Sequence, residues 1–298
     1  MIFRAKIKLT DPQIGADQMI PVTEQILKKV ITPRPAESHK GNYGRVVVIA
    51  GSHTYGGAGI MSASAALYAG AGLITLISDL VNRTALHAQH PEIMFADWTD
   101  QKLVTQLIDG ANVIVIGPGL GLDNQAQELL TLTLSQVINA QTLILDGSAL
   151  TLLSQTPEKK IQSDAQLILT PHQEEWHRLS GLNIAEQTPA KNQEVLAAKF
   201  PESTILVLKQ HHTQTYADGQ IYENTSGSPA MATGGMGDTL TGIIAALVAQ
   251  FKQPVDATVT AVYLHGLAGQ VLAETQYVAL PSQLILELPV LMAKYSLK

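Results

Sequence analysis

The 298-residue chain has no cysteine. That excludes disulfides, thiolate nucleophiles and Cys-based zinc or iron–sulfur sites at once, and it is what a reducing cytoplasm leads one to expect. Long basic runs are also missing. With 19 basic against 25 acidic residues the formal net charge is −6, so the expected partner is a small ligand rather than nucleic acid or an anionic membrane. No apolar run reaches membrane-spanning length, and Met1-Ile2-Phe3-Arg4-Ala5-Lys6 does not open a sustained apolar leader. A cytoplasmic location is the expectation. Internal repeats, low-complexity tracts and a long linker are absent too, which favours one domain over two. We take residues 1–20 as an N-terminal extension to which no function is attached, and residues 21–298 as the domain.

What the chain does have is alternation. A helix is expected over Pro21 to Ile31, stopped by Thr32-Pro33-Arg34-Pro35. Arg45 to Ala50 then forms a continuous β-branched run bounded by glycine, the pattern of a strand buried on both faces of a parallel sheet. Similar runs lie at Leu73 to Ile77, Val113 to Ile116, Thr142 to Leu145, Leu167 to Leu169 and Ile205 to Leu208. Helices are expected between them at Ala58 to Ala69, Asn124 to Ile138, Glu174 to Leu179 and Pro189 to Phe200. Strand and helix alternating in this way predict an α/β fold, a mostly parallel sheet flanked by helices on both faces. Thr213 to Ala217 and Gln220 to Asn224, joined by Asp218-Gly219, predict an antiparallel edge hairpin. Further helices are expected from Asp238 onward, at Val255 to Thr275 and at Ser282 to Tyr295.

The most informative stretch is Thr233-Gly234-Gly235-Met236-Gly237-Asp238, directly before a helix whose apolar face is marked by Leu240, Ile243, Ile244, Leu247 and Val248. At a helix N-terminus the first N–H groups lack partners and the dipole adds partial positive charge, so Gly235, Met236 and Gly237 suit an anion such as phosphate. Asp238 has two readings. It is a helix cap, or it is the general base that accepts a proton from an attacking hydroxyl.

In a parallel sheet ligands gather at the carboxyl ends of strands, which directs attention to the loops there. Gly51 to Gly59 follows the first strand; its spacing mimics a P-loop, but Gly57-Ala58 stands where Lys-Ser/Thr is required. Gly117-Pro118-Gly119-Leu120-Gly121 is a tight turn or a site of backbone contact with a ligand. Asp146-Gly147-Ser148 offers a carboxylate for Mg²⁺ or for a helix cap. Thr170-Pro171-His172 precedes Glu174-Glu175: His172 is a cap, a hydrogen-bond donor or an acid–base group, and Glu175 is a candidate to hold Mg²⁺ through water. Lys209 ends the sixth strand, where a charge needs a partner that phosphate would provide. The adjacent His211-His212 pair is read as surface, because neighbouring strand residues point to opposite faces. Asn224 to Pro229 is rich in donors for phosphate or ribose oxygens.

In their joint order these segments resemble the ribokinase-like superfamily and, within it, the ADP/ATP-dependent NAD(P)H-hydrate dehydratases of the YjeF C-terminal-domain family. The likeness runs from about His39 to Pro289. It is carried by His39 to Gly44, Ala50-Gly51-Ser52, Gly70 to Leu73, Gly117 to Gly121, Thr170-Pro171-His172, Val207-Leu208-Lys209, Met231 to Asp238 and Leu264-His265-Gly266. The resemblance implies that residues 21–298 are a ribokinase-like catalytic domain. It implies that Ala58, Gly119, His172 and Asp238 contact the hydrated nicotinamide nucleotide, and that Lys209, Gln210, His211, His212, Thr213 and Gly237 contact the adenine nucleotide. It further implies a phosphoryl donor, ADP or ATP, acting with Mg²⁺ on hydrated NADH or NADPH, Asp238 as general base, and a homo-oligomer, by family habit a tetramer. The alternative is a small-molecule kinase for hydroxymethylpyrimidine, pyridoxal or a sugar, since the Gly-x-Gly-Asp pattern is shared across the superfamily. This chain departs from the family where Asp146-Gly147-Ser148 replaces a frequent Asp-Ala-Asp, which leaves one carboxylate fewer for Mg²⁺.

Overall fold

The computed structural model describes residues 19–156 and 165–296. Residues 1–18 of the expected extension lie outside the described residues. The first element is a strand, β1 (Ile20–Val22), followed by α1 (Gln25–Val30). The helix expected from Pro21 therefore begins later. Ile20, Pro21 and Val22 pair with Tyr222, Glu223 and Asn224 at the margin of the sheet, where a proline is tolerated because no further strand among the described residues needs its missing N–H.

The strands foreseen from β-branched runs all form: β2 (Arg45–Ile49), β3 (Leu73–Ser78), β5 (Val113–Ile116), β6 (Thr142–Leu145), β7 (Gln166–Leu169) and β8 (Ile205–Leu208). So do the hairpin strands β9 (Gln214–Ala217) and β10 (Gln220–Asn224), with Asp218 at φ 50° and Gly219 at φ 72° in the turn. The unforeseen strands are β1 and β4 (Met94–Asp97), the latter flanked by the unforeseen helices α3 (Asn82–Gln89) and α4 (Gln101–Asp109). The signals of α3 and β4 are weak. Helix α3 buries only Asn82 and Leu86, and β4 lies at the sheet edge with Met94 exposed.

The remaining helices are α2 (Gly56–Tyr68), α5 (Asn124–Gln136), α6 (Ser148–Gln155), α7 (Gln173–Ser180), α8 (Pro189–Lys199), α9 (Met236–Gln250), α10 (Pro254–Ala273) and α11 (Pro281–Ser296). All ten strands share one sheet in the order β1-β10-β9-β8-β7-β6-β5-β2-β3-β4. From β8 to β4 every pairing is parallel; β9 runs against both β8 and β10. The sheet is therefore mostly parallel with an antiparallel hairpin toward one margin, extended by β1.

Each face of the sheet buries its own core, and one strand shows why. In β2, Val46 and Val48 join a cluster with Ala65, Leu240, Ile244 and Leu264, while Val47 and Ile49 join Ile114, Leu143, Leu206 and Trp176 on the other side. Period-2 alternation sends successive side chains to opposite faces, so a strand covered on both sides has to be apolar throughout. No described helix is long and apolar enough to cross a membrane.

Candidate active site

Strand order reverses between β2 and β5: from β2 the sheet proceeds to β3 and β4, from β5 to β6, β7 and β8. Such a reversal opens a crevice at the carboxyl ends of the strands. The loops after β2 and β5 meet there, Gly51 N–H donating to Pro118 O at 2.9 Å and Ser52 N–H to Gly119 O at 2.6 Å. Gly119 has φ +57°, and a Cβ on it would stand 2.5 Å from Tyr55 O and 2.8 Å from the Ala58 Cβ. Only glycine allows these loops to close so tightly. Ala58 and Gly119, foreseen as substrate contacts, are thus neighbours.

Helix α9 begins further along the same rim. Its N-cap is Gly235 in the left-handed conformation, φ 95°, and no side chain caps the helix. The N–H groups of Met236, Gly237 and Asp238 belong to a first turn with no intrahelical acceptors. The cap reading of Asp238 falls away, because the residue lies inside the first turn and makes no capping bond. Burial pushes its carboxyl up to about 6, the charges of Asp146 and Glu175 add to this, and Lys209 opposes it. A carboxylate with a pKa near neutrality is suited to taking a proton from an alcohol.

Lys209 has a partner that the sequence did not disclose. Its Nζ lies 2.7 Å from Asp146 Oδ1, and Asp146 Oδ2 accepts a hydrogen bond from Thr241 Oγ1 at 2.9 Å. Burial works against the Lys209 ammonium, but Asp146, Glu175 and Asp238 outweigh it and hold its pKa above the usual lysine value. The same ammonium is 3.2 Å from where a Cβ on Gly237 would stand. It therefore lies against the N-terminal turn of α9.

His172 caps α7. Its Nδ1 accepts from the N–H groups of Glu174 and Glu175, and Glu175 Oε2 accepts from His172 N–H at 2.9 Å. That reciprocal arrangement fixes both side chains and leaves the His172 Nε2, 3.5 Å from Glu175 Oε1, as the donor. A parallel bridge ties His172 to Lys209, whose N–H donates to Pro171 O at 2.8 Å. The two strand ends are held side by side.

A cavity of about 460 Å³ opens beside this rim, and Lys209, Gln210, His211, His212, Thr213 and Gly237 all line it. The donor-rich segment Asn224 to Pro229 forms another wall, with Met231, Leu240 and Val262 supplying apolar surface. His211 and His212 are not on a strand, since β8 stops at Leu208; their rings stand edge to face at 4.1 Å, and His212 has φ 56°. Both are exposed, as expected of surface residues, but strand alternation is not the reason, since β8 ends at Leu208 before the pair. Sequence reasoning gave no role to His265, which also lines the cavity; burial and Lys209 hold its imidazole down to about 4 against a hydrogen bond with the Met236 backbone, and its Nε2 has no protein partner. Asp238 is not part of the cavity wall, although Met236 and Gly237 are. A second cavity of about 440 Å³, bounded by Trp98, Gln101 and Leu132, gathers none of these residues. Among the described residues no three His, Asp or Glu side chains are placed to hold a metal ion by themselves.

A reversed-order parallel sheet with a glycine-framed aspartate at a helix N-terminus and a lysine-lined cavity beside it defines the ribokinase-like class. A ribokinase-like superfamily protein from Enterococcus faecalis V583 superposes with a TM-score of 0.91 at 47% identity, over 94% of this chain and 97% of that one. The NAD(P)H-hydrate dehydratase family model matches residues 46–289, and the chain belongs to that family. An ADP-dependent (S)-NAD(P)H-hydrate dehydratase from Lactiplantibacillus plantarum is 47% identical over 93% of this chain and 98% of the relative. The ADP/ATP-dependent NAD(P)H-hydrate dehydratase of Bacillus subtilis, co-crystallised with ATP and Mg²⁺, superposes with a TM-score of 0.81 at 28% identity, covering 93% and 98% of the two chains.

Proposed function

We propose that this protein is an ADP-dependent (S)-NAD(P)H-hydrate dehydratase, a carbon–oxygen lyase that restores NADH and NADPH from their hydrates. The observation that carries the reading is the place of Asp238. It directly follows Gly237 of the cavity wall, on a helix whose N-cap Gly235 packs against Met61 of α2, the helix that carries Ala58 beside Gly119, and this supports reading Asp238 as the group that two ligands share.

ADP occupies the cavity, with residues 209–213 along the nucleoside and Gly235, Met236 and Gly237 presenting backbone N–H groups to its terminal phosphate. The hydrated nicotinamide ring lies toward Ala58, Gly119 and His172. Asp238 takes the proton of the C6 hydroxyl; that oxygen bonds to the terminal phosphorus of ADP while the bond to the bridging oxygen breaks and AMP leaves. The new C6 phosphate then departs with the C–O bonding pair, and the C5–H bonding pair becomes the C5=C6 double bond as its proton passes to water. A hydroxyl is a poor leaving group and a phosphate a good one, which gives the nucleotide its purpose.

Asp146 is taken up by Lys209 and Thr241, so the chain offers no ready-made Mg²⁺ site there. Mg²⁺ would enter with the donor phosphates, reduce their charge, and meet Glu175 through water. We take ATP as a second donor, the cytoplasm as the location and a homotetramer as the assembly; exposed Leu280, Leu286 and Val290 on and beside α11 support an interface. The test is to incubate the purified protein with hydrated NADH or NADPH and with ADP or ATP. The absorbance of the reduced nicotinamide should return with ADP, whereas a stable phosphorylated product from hydroxymethylpyrimidine, pyridoxal or a sugar, without that return, would make the protein a kinase.

A further inference from the structure

Asp146 is charged, 2% exposed, and has both carboxylate oxygens engaged. It is not a helix cap, since Gly147 holds that position for α6. Its partners come from distant elements. Lys209, 63 positions later, follows β8, and Thr241 lies on α9 one turn beyond Asp238. The Thr241 hydroxyl also lies 3.0 Å from Gly237 O, so its single proton serves both that helical carbonyl and the carboxylate. One buried carboxylate thereby links the end of β6, the end of β8 and the second turn of α9.

We propose that Asp146, steadied by Thr241, is a positioning residue that holds the Lys209 ammonium against the N-terminal turn of α9, where the donor phosphate is to be met. The inference rests on the phosphoryl-transfer reading above. A lysine side chain has four rotatable bonds and strong hydration, and on its own it samples many positions. Tied at 2.7 Å to a carboxylate that a threonine fixes in turn, its charge stands beside Gly237 before any ligand arrives. Charge placed in advance does not have to reorganise as the phosphoryl group transfers, so the benefit appears in the rate more than in ground-state binding. Asp146 thus serves the reaction through Lys209 rather than as a ligand of Mg²⁺.

The test compares Asp146→Asn, Thr241→Val and Thr241→Ser with the unaltered protein in the ADP-dependent hydrate assay. Asp146→Asn should lower kcat by about tenfold or more while KM for ADP moves by less than about threefold. The charged groups around Asp238 are Asp146, Glu175 and Lys209. Removing the first should therefore move the acid limb of the rate profile to lower pH, a change that mere loosening of the fold would not produce. Thr241→Val should lower kcat with the acid limb unmoved, and Thr241→Ser, which keeps the hydroxyl, should restore it. If Asp146→Asn does not fold, the Val and Ser pair still decides the matter. Equal rates in Val and Ser variants, an unaltered kcat in Asp146→Asn, or recovery of that variant at raised Mg²⁺ would overturn the proposal, the last by making Asp146 a metal ligand. No activity in the unaltered protein would instead overturn the dehydratase reading, leaving these comparisons without a reference rate.

Discussion

Replacing Asp238 with Asn should make the protein inactive and more stable at the same time. The carboxyl is raised from 3.8 to about 6, first by burial and then by Asp146. Holding it ionised in the folded state above pH 6 therefore costs about 3 kcal/mol relative to the unfolded chain. An amide has nothing to ionise, so the cost disappears in the variant. The attraction to Lys209 is already contained in the raised value; partial exposure of the site reduces the gain, and about 1–3 kcal/mol is the expected stabilisation at pH 8.

The sign follows from proton counts. Between pH 3.8 and about 6 the folded protein binds more protons at this position than the unfolded chain, so the contribution of Asp238 to stability falls as pH rises through that window. The advantage of Asp238→Asn should be nil below the window, grow across it and level off above it. Urea unfolding of both proteins at several pH values between 4 and 8 measures the difference, and subtraction removes every other titrating group. In the hydrate assay the unaltered protein should gain activity with an apparent pKa near 6, and the variant should lose roughly 10²–10⁴-fold. A variant that is destabilised at pH 8, or whose advantage does not change with pH, would refute the argument that burial strains an ionised Asp238.

His265 should show the opposite trend. Its folded pKa of about 4 lies below the ordinary 6.5, so stability is lost as pH falls through that interval, and His265→Gln should flatten the unfolding free energy there. Lys209→Met leaves the Asp146 carboxylate buried without its cation and should destabilise by about 3 kcal/mol in urea. Gly235→Ala places a side chain at φ 95° and against the Met61 sulfur, and should cost about 1–3 kcal/mol and lower kcat. ADP at a hundred times its Kd should raise the unfolding free energy by about 2.7 kcal/mol, and a saturating nicotinamide nucleotide should add its own increment. Failure of the two increments to add would mean that both ligands compete for one site.

Much of the site was legible before folding was considered. Lys209, Gly237 and the donors from Asn224 to Pro229 were marked by residue type at strand ends and by glycine before a helix, and they line one cavity. Other parts gave no readable signal. Helix α3 and strand β4 escaped because they lie at the margin of the sheet and bury too little apolar surface to impose a period. Helix α6, eight residues like α7, lacks the side-chain cap and the acidic first turn that mark α7.

The sequence by itself determined the elements and the chemistry available to them: apolar runs that have to be strands, a glycine-framed Asp238 at a helix start, and the absence of thiol chemistry. These are local matters, settled by backbone sterics, periodicity and side-chain type. Only the tertiary structure decided that strand order reverses between β2 and β5, that Gly119 meets Ala58 in that crevice, and that Asp146 reaches Lys209 across the strand between them. Strand order and charge partners depend on contacts between residues far apart in the chain, and no local pattern records them. The pKa of Asp238 belongs to the same category, because it is set by burial and by charges that only folding brings near.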